Sequence, residues 1–119
     1  MNLISQVCTE EQAERLKQLG VCQLSLFYHT NSDWGVMPRS SIDFSGNPSS
    51  AFTVAELGVM LPPGCVPEKS STNAYWHDYI KGFFMTFKTE AEARAATLID
   101  LIERNVIKIA DVNNRLNNQ

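Results

Sequence analysis

The sequence predicts an α+β domain, with a small antiparallel sheet packed against three to four helices in a single layer on one face. Three observations carry this expectation. The pattern T-x-x-[E/Q] occurs at Thr9, Thr53 and Thr89, each time ahead of helical periodicity. Between the first two sites, "VCQLSLFYHT" alternates with period two, as a half-covered strand does. The aromatic run "AYWHDYIKGFFMTFK" reads as a hairpin, because ring side chains cover a pleated surface well.

The first helix is expected over about residues 10–19. In the capping box, the Thr9 hydroxyl accepts from the amide three residues on, and Gln12 reaches back to the Thr9 amide. Ala13, Leu16 and Leu19 form a narrow apolar stripe, Glu11 and Arg15 an i,i+4 pair, and Gly20 the C-terminal cap. In the strand that follows, Cys22, Leu24, Leu26 and Tyr28 share one face. From Thr30 to Ser50 turn chemistry dominates in "NSDWG" and "SGNPSS". "WGVMPRSSIDF" has room for one or two short strands, and Pro38 bars a central position.

The second helix, Val54 to Leu61, is stopped by "PPG". Its sole charge, Glu56, belongs to the capping box. Val54, Ala55, Leu57, Val59, Met60 and Leu61 surround it on nearly all sides, which predicts a core helix clamped between the sheet and the third helix. Gly58, costing about 1 kcal/mol relative to Ala in a helix interior, predicts close approach of another backbone. The other arrangement is a partly exposed interface helix, in which Val59 and Met60 are the interface residues. "EKSSTN" reads as a polar loop, and the hairpin turn falls near residues 81–82.

The third helix is expected over about residues 90–105. Ala91, Ala95, Leu98, Ile99, Leu101, Ile102 and Val106 fall within an arc of about 160°, the width of a core-facing stripe. Glu92, Asp100, Glu103 and Arg104 lie opposite, and Glu90–Arg94 and Asp100–Arg104 are acid-first i,i+4 pairs. A short last helix capped by Asp111 is expected, with a frayed Asn-rich end. No repeat, linker or second core interrupts the order, so residues 1–119 are read as a single domain.

Composition narrows the function classes. The chain has 119 residues, 44% hydrophobic and 19% charged, with net charge −3. The charged fraction is below the usual ~25%, so part of the surface should be neutral. The ten Lys and Arg are scattered rather than gathered into the basic face that nucleic acid requires. The three cysteines, Cys8, Cys22 and Cys65, show no C-x-x-C spacing, so neither a disulfide framework nor a structural zinc site is expected. "MNLISQVCTEEQ" meets acids before any long apolar run, unlike a signal peptide, and no stretch approaches the ~18 apolar residues of a membrane span. A soluble protein of the reducing cytoplasm is expected.

No nucleotide-binding, hydrolase or metalloprotease signature is present, and no cofactor, metal or catalytic residue is assigned. His29 and His77 are the only histidines. His77 and Asp78 are neighbours on a strand-like stretch and point to opposite faces, so they form no dyad. Both histidines read as surface or hydrogen-bonded side chains. Cys65 would need a neighbouring base to form a thiolate, and Cys8 and Cys22 read as small buried apolar residues. The aromatics with polar tips, Trp34, Tyr75, Trp76 and Tyr79, supply binding area at little entropic cost. Trp34, Tyr75, Trp76, His77 and His29 are therefore the candidate binding residues, with a cover over the sheet as the competing role.

The segments "LGVCQLSLFYH", "AFTVAELGVMLP", a Trp-containing hairpin and "TEAEARAATLIDLIERNVI" follow in this order. Over about residues 19–107 the chain resembles a family of small uncharacterised proteins from prophages and other mobile elements of Bacteroides-type bacteria. The most specific pieces are residues 52–57 with Gly58 and Pro62, and residues 90–95. The family has an aromatic where His29 stands and an acid where Val59 stands. The resemblance implies mobile-element ancestry and transfers no catalytic residue. The expected function is a non-enzymatic protein-interaction module, bound to a protein partner or a second copy of itself. The alternatives are a small-molecule binder or enzyme with its site between sheet and helices, and a nucleic-acid accessory protein using "IERNVIKIADVNNRL" as a helix-turn-helix.

Overall fold

The computed structural model describes residues 3–30, 35–63, 65, 68–69, 75–76 and 86–118. The fold is α+β, as expected. Among the described residues the helices are α1 (Glu10–Gln18), α2 (Val54–Met60), α3 (Glu90–Glu103) and α4 (Ile109–Asn117). The strands are β1 (Phe27–His29), β2 (Val36–Pro38), β3 (Ser49–Ser50), β4 (Glu68–Lys69), β5 (Tyr75–Trp76) and β6 (Thr86–Phe87). They form two small antiparallel sheets, ordered β2-β1-β3 and β4-β5-β6. Pro38 sits on edge strand β2, where its missing N–H costs no ladder bond. β5 and β6 pair as arms of the expected hairpin, whose turn lies outside the described residues. Glu68–Lys69 and Ser49–Ser50, read from sequence as loop and turn, are short strands.

Thr9 and Thr53 form complete capping boxes with Gln12 and Glu56. Thr89 accepts from the Glu92 amide at 3.1 Å, and the reciprocal bond does not form. α1 ends in a Schellman motif: Gly20 has φ +98°, and the Val21 and Gly20 amides reach the Leu16 and Lys17 carbonyls. α3 ends the same way on Asn105, with φ 59°, and the Val106 amide bonds to the Leu101 carbonyl. That stop is two residues earlier than the periodicity predicted, and it takes Val106 out of the core stripe to 59% exposure. α4 begins at Ile109 after Lys108, so Asp111 lies in its first turn rather than at its cap.

α3 is the central helix. It packs against α1, α2, β5, β6 and the short 3₁₀ turn Leu3–Gln6. Ala93, Thr97 and Asp100 are therefore buried along with the predicted stripe. Asp100, placed on the solvent face by periodicity, is shielded and paired with Arg104 at 2.8 Å. Thr97 satisfies its hydroxyl on the Ala93 carbonyl at 2.8 Å. Arg15 pairs with Glu103 of α3 at 3.0 Å instead of with Glu11, tying the ends of two helices together.

α2 corrects the expectation of an all-round core helix. It packs against α3 and α4, burying Glu56, Leu57 and Met60. Ala55 and Val59 face outward, Val59 at 36% exposure. The reason for Gly58 is also different. Among the described residues no backbone of another element approaches it; a β-carbon there would collide with the Arg94 guanidinium. Arg94 crosses α2 at that point, donates to the Val54 carbonyl at 3.2 Å and pairs with Glu90 at 3.2 Å. Arg115 of α4 closes the other end of α2 by donating to the Met60 carbonyl at 3.3 Å.

Candidate functional site

The period-two segment does not continue as one strand. Ser25 turns its hydroxyl onto the Phe27 carbonyl at 2.7 Å, a local bond that the carbonyl accepts beside the Ala51 amide at 2.9 Å. The Leu26 amide goes to Oε2 of Glu56 at 3.1 Å, and the Leu26 carbonyl takes the Arg39 amide at 2.9 Å. The chain bends at Leu26 and the face predicted from sequence splits. Tyr28 turns inward to full burial, while Leu24 and Leu26 turn out to 40% and 63% exposure. The reading of Leu24 and Leu26 as a half-buried strand face is thereby overturned.

These two leucines border a cleft of about 420 Å³, lined also by Ser25, Arg39 and Glu56. Glu56 is buried without an ion-pair partner among the described residues, yet both oxygens are satisfied. Oε1 accepts from the Thr53 amide at 2.9 Å and hydroxyl at 3.1 Å, and Oε2 accepts from Leu26. One carboxylate thus caps α2 and holds the bend, the arrangement that keeps a buried charge tolerable.

Arg39 is held from two sides. Its guanidinium lies 5.8 Å from the ring centroid of Phe44, a cation–π arrangement. Its Nη1 donates to the Tyr28 hydroxyl at 3.3 Å, and that hydroxyl donates to the Gln23 carbonyl at 2.9 Å. Phe44 meets Tyr28 edge-to-face at 5.2 Å and is itself 49% exposed. Among the described residues no carboxylate comes within ion-pair distance of Arg39. Arg39 thus joins two exposed apolar groups, the leucines with which it lines the cleft and the Phe44 ring beside its guanidinium.

The residues expected to bind are not brought together there. His29 is half-buried, and its Nε2 lies 2.7 Å from the Cys8 carbonyl, so it carries its proton on Nε2 and serves as a hydrogen-bonded structural side chain. Trp34, His77 and Tyr79 lie outside the described residues, and Tyr75 and Trp76 are placed only as strand β5. Met60 is fully buried in the core and leaves the interface set, while Val59 remains partly exposed on α2. Cys8 is buried with its thiol on the Ser50 carbonyl, and burial pushes it up to about 12, so it is no nucleophile. Burial also raises Cys65, opposed by the charge of Arg115. Cys22 is half-buried rather than buried.

A second, larger hollow of about 680 Å³ lies where α1, the end of α3 and the start of α4 meet. Leu19, Ile102, Ile107 and Ile109 line it together with Lys108, Asn105 and the Arg15–Glu103 ion pair. Among the described residues, no three His, Cys, Asp or Glu side chains group so as to hold a metal ion. No described helix is long and apolar enough to cross a membrane.

Arg39, Leu24, Leu26 and Phe44 were not singled out by the sequence. The leucines fitted a buried strand face, and Arg39 looked like one of several scattered cations. No family model, curated protein or solved structure matches the chain.

Proposed function

We propose that the chain is a non-enzymatic protein-interaction module of phage or mobile-element origin, acting in the cytoplasm. Its docking face is the bent segment at Leu24–Leu26 with Phe44 and Arg39. The observation that carries this reading is the outward turn of two leucines that the polypeptide fixes there with three hydrogen bonds. Arg and aromatic residues such as Phe44 are enriched at interfaces, and the two exposed leucines add apolar area beside them. The ancestry rests on the motif resemblance alone, above all residues 52–57 with Gly58 and Pro62, and residues 90–95.

The competing readings have weaker support. A small-molecule site needs several polar groups converging in a pocket, whereas both Glu56 oxygens in this cleft are engaged by Thr53 and Leu26, which leaves Arg39 as its one charged group with donors to offer among the described residues. For nucleic acid, α4 would be the recognition helix, yet its Arg115 is drawn inward to the Met60 carbonyl.

Site-specific photo-crosslinking in native cells tests the proposal, with the crosslinker placed at residue 26 and, as control, at exposed Glu14 of α1. The expected outcome is a protein adduct from position 26 that is absent from position 14 and abolished by Leu24→Glu. Adducts of equal yield from both positions, or adducts insensitive to Leu24→Glu, refute the docking face.

A further inference from the structure

We infer that the occupant of this face is an extended protein segment carrying a carboxylate beside apolar side chains, with the carboxylate seated on Arg39. The inference rests on the reading of the face as a docking site and adds the chemistry of the partner.

Three observations converge on that occupant. Among the described residues Arg39 makes one side-chain hydrogen bond, from Nη1 to the Tyr28 hydroxyl, and its guanidinium lies 5.8 Å from the centre of the Phe44 ring. A planar guanidinium held through Nη1, whose Nε and Nη2 meet no partner among the described residues, matches a carboxylate in side-on bidentate geometry. Glu56, the one acid lining the cleft among the described residues, does not compete for it, because both its oxygens are engaged by Thr53 and Leu26. Second, Leu24 and Leu26 flank the cleft and give apolar side chains a place to lie. Third, the Leu24 amide and carbonyl make no hydrogen bond among the described residues, so the backbone beside the cleft is open to pairing with an extended chain. A second copy docked by the same face about a two-fold axis would set Arg39 against Arg39.

The test is selection of a random heptapeptide library on the immobilised full-length chain, followed by affinity measurement of the selected peptides by fluorescence anisotropy. The expected result is enrichment of Asp or Glu next to Leu, Ile or Phe. Binding should fall about tenfold to a hundredfold with Arg39→Gln, the loss expected for a charge-assisted hydrogen bond. It should fall again with Asp→Asn or Glu→Gln in the peptide, and weaken with added salt. Arg39 is exposed, so circular dichroism of Arg39→Gln should match the parent chain. Selected peptides that lack an acid and bind Arg39→Gln unchanged, yet lose binding with Leu26→Glu, overturn the carboxylate inference and leave the docking face standing. Peptides insensitive to Leu26→Glu as well overturn both. A concentration-dependent dimer in light scattering that Leu26→Glu dissociates replaces the acidic segment with a second copy and overturns the inference.

Discussion

Gly58 and Arg94 make a two-residue test of how α2 and α3 are fitted together. Gly58→Ala alone should favour helix α2 by about 1 kcal/mol, the usual difference between the two residues in a helix interior. The new methyl, however, occupies the space of the Arg94 guanidinium. Arg94 must then give up its bond to the Val54 carbonyl, worth about 1.5–3 kcal/mol for a charged donor. It also loosens from Glu90, a partly exposed pair worth up to about 1 kcal/mol. The net expectation is destabilisation by about 1–2 kcal/mol. In an Arg94→Met background the guanidinium is gone and only the propensity gain remains, so Gly58→Ala should stabilise by about 1 kcal/mol. Urea unfolding of the four proteins, followed by circular dichroism, gives the coupling directly. The sign of the Gly58→Ala effect should reverse between backgrounds, with a coupling of about 2–3 kcal/mol. A stabilising Gly58→Ala in the parent chain, or a coupling under about 0.5 kcal/mol, would refute the claim that Arg94 is why a glycine stands at this position.

Glu56→Ala removes the return half of a capping box and frees the Leu26 amide, so it should cost about 2–3 kcal/mol in urea unfolding and raise hydrogen exchange at residues 24–26. A loss confined to α2, with residues 24–26 unchanged, would separate the cap from the bend. Among the thiols, Cys22 should react with a disulfide reagent at pH 8 while buried Cys8 stays silent until unfolding. Cys8 rises from 9.0 in the unfolded chain to about 12 in the fold, so its contribution is complete below pH 9 and is lost as pH climbs toward 12. Cys8→Ala should flatten stability over that window, and an unchanged slope would count against the buried thiol. At Asn105, φ 59° favours residues that tolerate the left-handed region. Asn105→Ala should destabilise by about 1 kcal/mol and Asn105→Gly should not, as thermal melts would register.

Local chemistry accounts for what was readable in advance. The starts of α1, α2 and α3 follow from threonines whose hydroxyls and following amides lie within one turn of chain, and Gly20 and Pro62 mark stops for reasons equally local. The edge position of β2 followed from the missing amide of Pro38. The stop of α3 was harder, because Asn tolerates the left-handed region without announcing it as Gly does. The candidate site was harder still. Leu24 and Leu26 alternate as a covered strand would, and nothing beside them in sequence signals that the Leu26 amide pairs with Glu56, 30 residues away.

By itself, then, the sequence determined the α+β class, where three helices begin and which residues cap them, because those energies are settled among near neighbours. Tertiary structure alone decided that α3 rather than α2 is the central helix, that Gly58 makes room for a guanidinium, and that two leucines face solvent around Arg39. Those outcomes depend on which groups meet across the fold, and hydrophobic periodicity records only that a face is apolar, not what covers it.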